Sequence, residues 1–104
     1  MNQRAHVAVG VIYNATKDKV LISKRSSSQH LAGYWEFPGG KVECNENVNS
    51  ALKRELFEEL GIIVIKAEAY TTVSHDYVDK KVLLDVWKVS EWHGQLESKE
   101  SQEI

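Results

Sequence analysis

Gly40-Lys-Val-Glu-Cys-Asn-Glu-Asn-Val-Asn-Ser-Ala-Leu-Lys-Arg-Glu-Leu-Phe-Glu-Glu-Leu-Gly-Ile62 is the stretch on which the reading of this chain turns. Asn47 is an N-cap residue, and Val48 to Leu60 carries helical periodicity that stops at Gly61. At about 100° per residue, Val48, Ala51, Leu52, Leu56 and Leu60 form one apolar arc. With Val48 at the origin, Glu59 falls at roughly +20° and Glu55 at roughly −20°, inside that arc, and Glu58 at its edge at roughly −80°. An ordinary amphipathic helix puts its glutamates opposite its leucines. Carboxylates gathered in a low-dielectric place repel one another and call for a cation. Three oxygen ligands at i, i+3 and i+4 suit a hard cation such as Mg²⁺, completed by substrate phosphates. The plainer alternative is a row of solvated charges paired with Lys53 and Arg54. Arg54, beside Glu55, has the fork geometry to hold a carboxylate in place.

Outward from the helix, the chain reads as strands. Val7 to Tyr13 is β-branched and apolar, Asn14 to Asp18 is a turn, and Lys19 to Arg25 is a second strand of a hairpin. Ser26 to Gly33 is a polar loop. Trp35 to Phe37 is a short strand cut off by Pro38-Gly39-Gly40, followed by a loop to Asn47. Ile62 to Val73 and Lys81 to Trp92 are two further strands. The order is ββ-β-α-β-β, an α+β class with a mixed sheet. One helix covers one face of a sheet, so the other face is expected to lie bare and the chain to be truncated at its C-terminus.

At 104 residues, the chain is expected to be a single domain over 1–104. Thirteen basic against fifteen acidic residues, net −2, give no field for a nucleic-acid polymer. A hydrophobic content of 42% argues against disorder. The single cysteine, Cys44, excludes an internal disulfide and a cysteine-based zinc cluster. No apolar run approaches a membrane span, and a reducing, cytoplasmic setting is expected.

The quoted stretch resembles the Nudix box. Gly40, five residues, Glu46, seven residues, Arg54-Glu55, apolar Leu56, one residue, Glu58-Glu59, one residue, Gly61 and apolar Ile62 match that pattern at every specified position. The resemblance gives the spacing a physical sense, a loop with backbone groups turned toward phosphate leading into a helix that would supply metal carboxylates. The resemblance implies an α/β/α sandwich around a mixed sheet and cleavage of a nucleoside diphosphate linked to another moiety. Val7 to Ile12, Leu21 to Arg25, Trp35 to Lys41, Val86-Trp87 and Trp92-His-Gly94 further resemble the MutT-type 8-oxo-dGTP diphosphatases. Their activity releases a nucleoside monophosphate and pyrophosphate.

By that resemblance, Glu55, Glu58 and Glu59, with the carbonyl of Gly39, would hold Mg²⁺, with Mn²⁺ as a substitute. Glu100 falls where the subfamily has a further carboxylate on a late loop and would join the metal ligands, and the proton acceptor would be Glu55 or Glu100. Arg54 would serve the catalytic carboxylates. Arg25, His30, Glu36, Phe37, Pro38, Gly39 and Lys80 would contact the nucleotide, with Phe37 against the base. The alternatives are a strand-end cation for Arg25, a surface residue for His30, plain core for Phe37, a helix-entry carboxylate for Glu46 and a solvated tail for Glu100. Asn45 stands where many members have Gly, and Asn tolerates a left-handed backbone. Lys80 stands where close relatives have Arg, giving a point charge rather than a fork. The subfamily's closing strand and C-terminal helix, with an Asn that reads the purine edge, have no counterpart before Ile104.

The implied function is a Mg²⁺-dependent sanitiser of oxidised purine nucleotides, monomeric when full length. The rivals are a hydrolase of ADP-ribose or a dinucleoside polyphosphate, and a nucleotide-sensing module without turnover. An intact Arg54-Glu55 and Glu58-Glu59 argue against the sensor.

Overall fold

Residues 5–14, 16–24, 35–76, 81–99 and 104 are described by a computed structural model of the chain. Their elements are β1 (Ala5–Ile12), β2 (Ser23–Lys24), β3 (Trp35–Glu36), β4 (Gly39–Lys41), α1 (Val48–Leu60), β5 (Ile63–Asp76) and β6 (Lys81–His93). Four strands form a mixed sheet in the order β4-β1-β6-β5, and β2 and β3 pair separately. In that sheet β1 runs parallel to β6 and antiparallel to β4, while β5 is antiparallel to β6. The class is α+β, as the element order implies.

Helix α1 spans the residues its periodicity predicts, and both caps are made. The Asn47 side chain accepts from the Ser50 N–H at 2.8 Å, and Gly61, at φ 73°, donates its N–H to Phe57 O at 2.9 Å. Ala51, Leu52, Leu56 and Leu60 are fully buried against Ala8, Ile12, Ile62, Val64 and Val89. Each such leucine contributes roughly 1.5–3 kcal/mol by leaving water. Alternation in β1 turns Ala8, Gly10 and Ile12 toward the helix. A Cβ on Gly10 would lie 3.1 Å from Leu56 Cδ1 and 3.2 Å from Leu52 Cδ1, so the helix crosses directly over β1.

Two expectations need correction. Among the described residues of 19–25 the strand is not continuous: Tyr13 and Val20 form an isolated bridge, Leu21 N bonds Ile12 O at 3.0 Å, and Ser23–Lys24 is the part in strand. The cause is occupancy, because β1 already has β4 on one side and β6 on the other. The chain after the turn therefore leaves β1 and pairs with β3. The strand at Trp35 does end before Pro38, but the expected loop to Asn47 begins later, because Gly39–Lys41 is strand β4. Gly10 N donates to Pro38 O at 2.8 Å, and Gly39 and Gly40 pair with Val9 and Ala8. At φ 153°, a side chain on Gly39 would run into the Ala8 carbonyl, so the glycine serves close approach of β4 to β1. At Asn45 the backbone makes no use of the left-handed tolerance of Asn; Lys17, at φ 60° in the Asn14–Asp18 turn, is the non-glycine residue with positive φ among the described residues.

Strand β5 runs on to Asp76, with register shifts against β6 at Val64/Lys66, Lys66/Ala67 and Ala69/Thr71. Among the described residues α1 is the one helix, and it covers one face of the sheet. Val7, Val9 and Val11 alternate onto the other face and are half-buried.

Candidate active site

Strand β4 and the side of α1 that faces it form the site. Because Gly39 and Gly40 lack side chains, the helix can lay its carboxylates on the strand's backbone. Glu59 Oε2 accepts from Gly39 N at 3.0 Å. The Glu55 carboxyl group occupies the space that a side chain on Gly40 would need. The two glutamates are one helical turn apart on a single row, which brings both to the same ledge.

Arg54 organises the rest. Its Nε and Nη2 donate to Glu46 Oε2 and Oε1 at 3.2 and 2.7 Å, a bidentate pair. Nη1 donates to Glu55 Oε2 at 3.0 Å and to Glu58 Oε1 at 3.1 Å, and Nη2 also reaches Lys41 O at 3.0 Å. One guanidinium thus serves three carboxylates, and the local charge stays negative. The Glu46 side chain is only 17% exposed. Its carboxyl is held below the ordinary glutamate range, chiefly by Arg54 and then by the Glu43 N–H at 2.9 Å. Arg54 is correspondingly pushed up, with Glu46 the largest cause. Glu46 therefore stands at the helix entry as the anchor of Arg54.

The ionisable residues divide into groups. Glu55 and Glu59 meet on β4, whereas Glu58 is exposed and turned to Arg54. Among the described residues no three His, Cys, Asp or Glu side chains are arranged to enclose a metal ion. The donor set nevertheless fits a hard cation. Two half-buried carboxylates against a glycine ledge offer oxygen ligands, and Mg²⁺ commonly takes one or two carboxylates with water and phosphate completing six. Before the ledge, Glu36 at the end of β3 is half-buried and Pro38, beyond the strand, is fully buried. Phe37 is 39% exposed, so it is not the plain core residue that the alternative supposes. Arg25, His30, Lys80 and Glu100 lie outside the described residues.

Two contributors were not singled out from sequence. Gly40 is the seat of Glu55, and its only signal was its fixed spacing before the helix. The Lys41 carbonyl, a backbone acceptor for Arg54, left no signal at all.

The pattern described as the NUDIX domain matches residues 4–104. The 8-oxo-dGTP diphosphatase of Proteus vulgaris is 42% identical over 97 residues, covering 93% of this chain and 86% of that protein. The CTP pyrophosphohydrolase of Escherichia coli K12 is 38% identical over 86 residues, covering 83% of this chain and 64% of that protein. The crystal structure of a MutT NUDIX hydrolase from Burkholderia pseudomallei superposes with a TM-score of 0.89 at 29% identity, covering 99% of this chain and 81% of that one. Among the described residues, no helix is long and apolar enough to cross a membrane.

Proposed function

The chain belongs to the Nudix family, and on that premise we propose that it hydrolyses 8-oxo-dGTP to 8-oxo-dGMP and pyrophosphate, clearing an oxidised precursor from the nucleotide pool. The observation that carries this reading is the ledge of Gly39 and Gly40 with Glu55 and Glu59 laid upon it. The identity to 8-oxo-dGTP diphosphatases supports the choice of substrate class.

Glu55, Glu59 and the Gly39 carbonyl are the oxygen donors for a divalent cation, Mg²⁺ or Mn²⁺ in its place, with Glu58 joining them from its exposed position. That cation supplies charge neutralisation of the triphosphate, the dominant contribution in phosphoryl-type transfer. A carboxylate, Glu55 or Glu100, accepts the proton of the attacking water. The water oxygen bonds to phosphorus as the phosphoanhydride bond breaks, and pyrophosphate departs with the released electron pair. Arg54 keeps Glu55 and Glu58 oriented through its Nη1 while Glu46 and Lys41 O hold its other nitrogens. Phe37 offers an exposed ring to a base.

The likeness to a CTP pyrophosphohydrolase favours a second reading with a pyrimidine triphosphate as substrate. Steady-state hydrolysis with Mg²⁺ over 8-oxo-dGTP, dGTP, CTP, ADP-ribose and a dinucleoside polyphosphate separates them, with products identified. The highest kcat/KM is expected for 8-oxo-dGTP, because a pocket bonded to the altered purine edge rejects bases that leave its groups unpaired. A maximum at CTP transfers the assignment to the second reading. A maximum at ADP-ribose or the dinucleoside overturns both.

A further inference from the structure

A helix leaves its last four carbonyls without partners inside the helix. In α1, Gly61 N takes Phe57 O, as a left-handed cap does. Glu59 O and Leu60 O are taken by residues far along the chain: Lys99 N donates to Glu59 O at 2.9 Å, and Glu97 N to Leu60 O at 3.0 Å. The segment that supplies them is fitted to the helix end. Leu96 packs partly buried against the core. Gly94, at φ 104°, passes so close that a side chain there would sit 3.0 Å from Gly61 O. A side chain on Gly61 would lie 2.8 Å from Lys99 Cε. The Lys99 ammonium, 2.9 Å from Glu97 Oε2, is also placed near the negative end of the helix dipole.

We propose that residues 94–99 form a clasp on the C-terminal turn of α1, and that Lys99 is a positioning residue for the Glu59 carboxylate. The inference rests on the reading of Glu59 as a metal-facing group. Glu59 is held at two points. Its carboxylate bonds Gly39 N on β4, and its own carbonyl bonds Lys99 N on the clasp. Fixing the carbonyl fixes the pitch of the last turn, and with it the direction in which the side chain leaves the helix. The clasp thus makes a late loop of the chain part of the site without contributing a ligand from residues 94–99.

Mn²⁺ binding to the 104-residue protein without nucleotide, followed by electron paramagnetic resonance, tests this directly. Lys99→Pro removes the N–H that holds Glu59 O, and it should weaken Mn²⁺ binding about tenfold, the scale of one lost hydrogen bond. The same variant should show a smaller Mg²⁺-induced rise in Tm. Lys99→Ala keeps the N–H and should shift the affinity by less than about threefold. A Lys99→Pro protein that is less stable without metal yet binds Mn²⁺ as tightly as wild type has lost only a structural bond, and the proposal is overturned. If Lys99→Pro does not fold, Leu96→Ala loosens the same segment. It should weaken Mn²⁺ binding in the same direction, and unchanged affinity in a folded Leu96→Ala protein overturns the proposal equally. Glu59→Gln in the same titration keeps the two claims apart. Weaker binding there with no effect of Lys99→Pro removes the clasp alone, whereas no effect of Glu59→Gln removes the active-site reading and the clasp with it.

Discussion

On the sheet side of α1, Ala51, Leu52, Leu56 and Leu60 are sealed from solvent, whereas on the β4 side Arg54, Glu55 and Glu59 are only half-buried. Both sides repeat every fourth residue, and the rows Leu52-Leu56-Leu60 and Ala51-Glu55-Glu59 are neighbours on the helix surface. The leucine row stabilises the fold by excluding water. The glutamate row crowds like charges, and Arg54 offsets part of that repulsion at Glu55 and Glu58 while it is itself held by Glu46. Stability is thus carried by one row of the helix and, on the proposed function, chemistry by its neighbour, and substitutions should separate the two.

The largest effect on folding is expected from the leucine row. Leu56→Ala removes a fully buried side chain over β1 and should cost about 2–5 kcal/mol in urea unfolding. A loss below about 1 kcal/mol would mean that the row is less well packed than its burial implies. On the other row, Arg54→Lys keeps a charge but loses the fork to Glu46 and the shared reach to Glu55 and Glu58. Turnover should fall about 10- to 100-fold with KM for nucleotide little changed. An effect on KM alone would place Arg54 with substrate binding instead.

The smallest effect is a pH dependence. The Glu46 carboxyl is depressed below the ordinary glutamate value of 4.5, so the pair with Arg54 stabilises the fold above that value. The contribution disappears as pH falls through the lower, folded-state value. Wild type should therefore exceed Glu46→Gln in stability at neutral pH, and the gap should close in acid. A gap independent of pH would show that the charge of Glu46 is not what holds Arg54.

Much of this was legible in the sequence because it depended on local pattern. Asn47 and Gly61 mark both ends of α1, the apolar arc identifies its buried side, and Glu55 and Glu59 stand out as carboxylates among leucines. Features that depend on a distant partner were not. Gly39 and Gly40 read as the break that opens a loop, because a glycine pair after proline has that meaning locally, and only the approach of Ala8 and Glu55 makes them a strand. Residues 19–25 read as a strand because nothing local says that both edges of β1 are taken. Arg54 was expected to hold one carboxylate, but its tightest partner, Glu46, is eight residues away across the helix entry.

The central claim is that the glutamate row is a metal-binding catalytic surface rather than a row of solvated helix charges, and Glu59→Gln tests it most directly. An amide can still accept from Gly39 N, so the metal-free protein should melt at the wild-type temperature or slightly above as like-charge repulsion is relieved. With 8-oxo-dGTP and Mg²⁺, kcat should fall at least ~10²-fold, about 2.7 kcal/mol of transition-state stabilisation. The rise in Tm on adding Mg²⁺ should be larger in wild type than in the variant. Wild-type turnover together with an unchanged response to Mg²⁺ would contradict the claim.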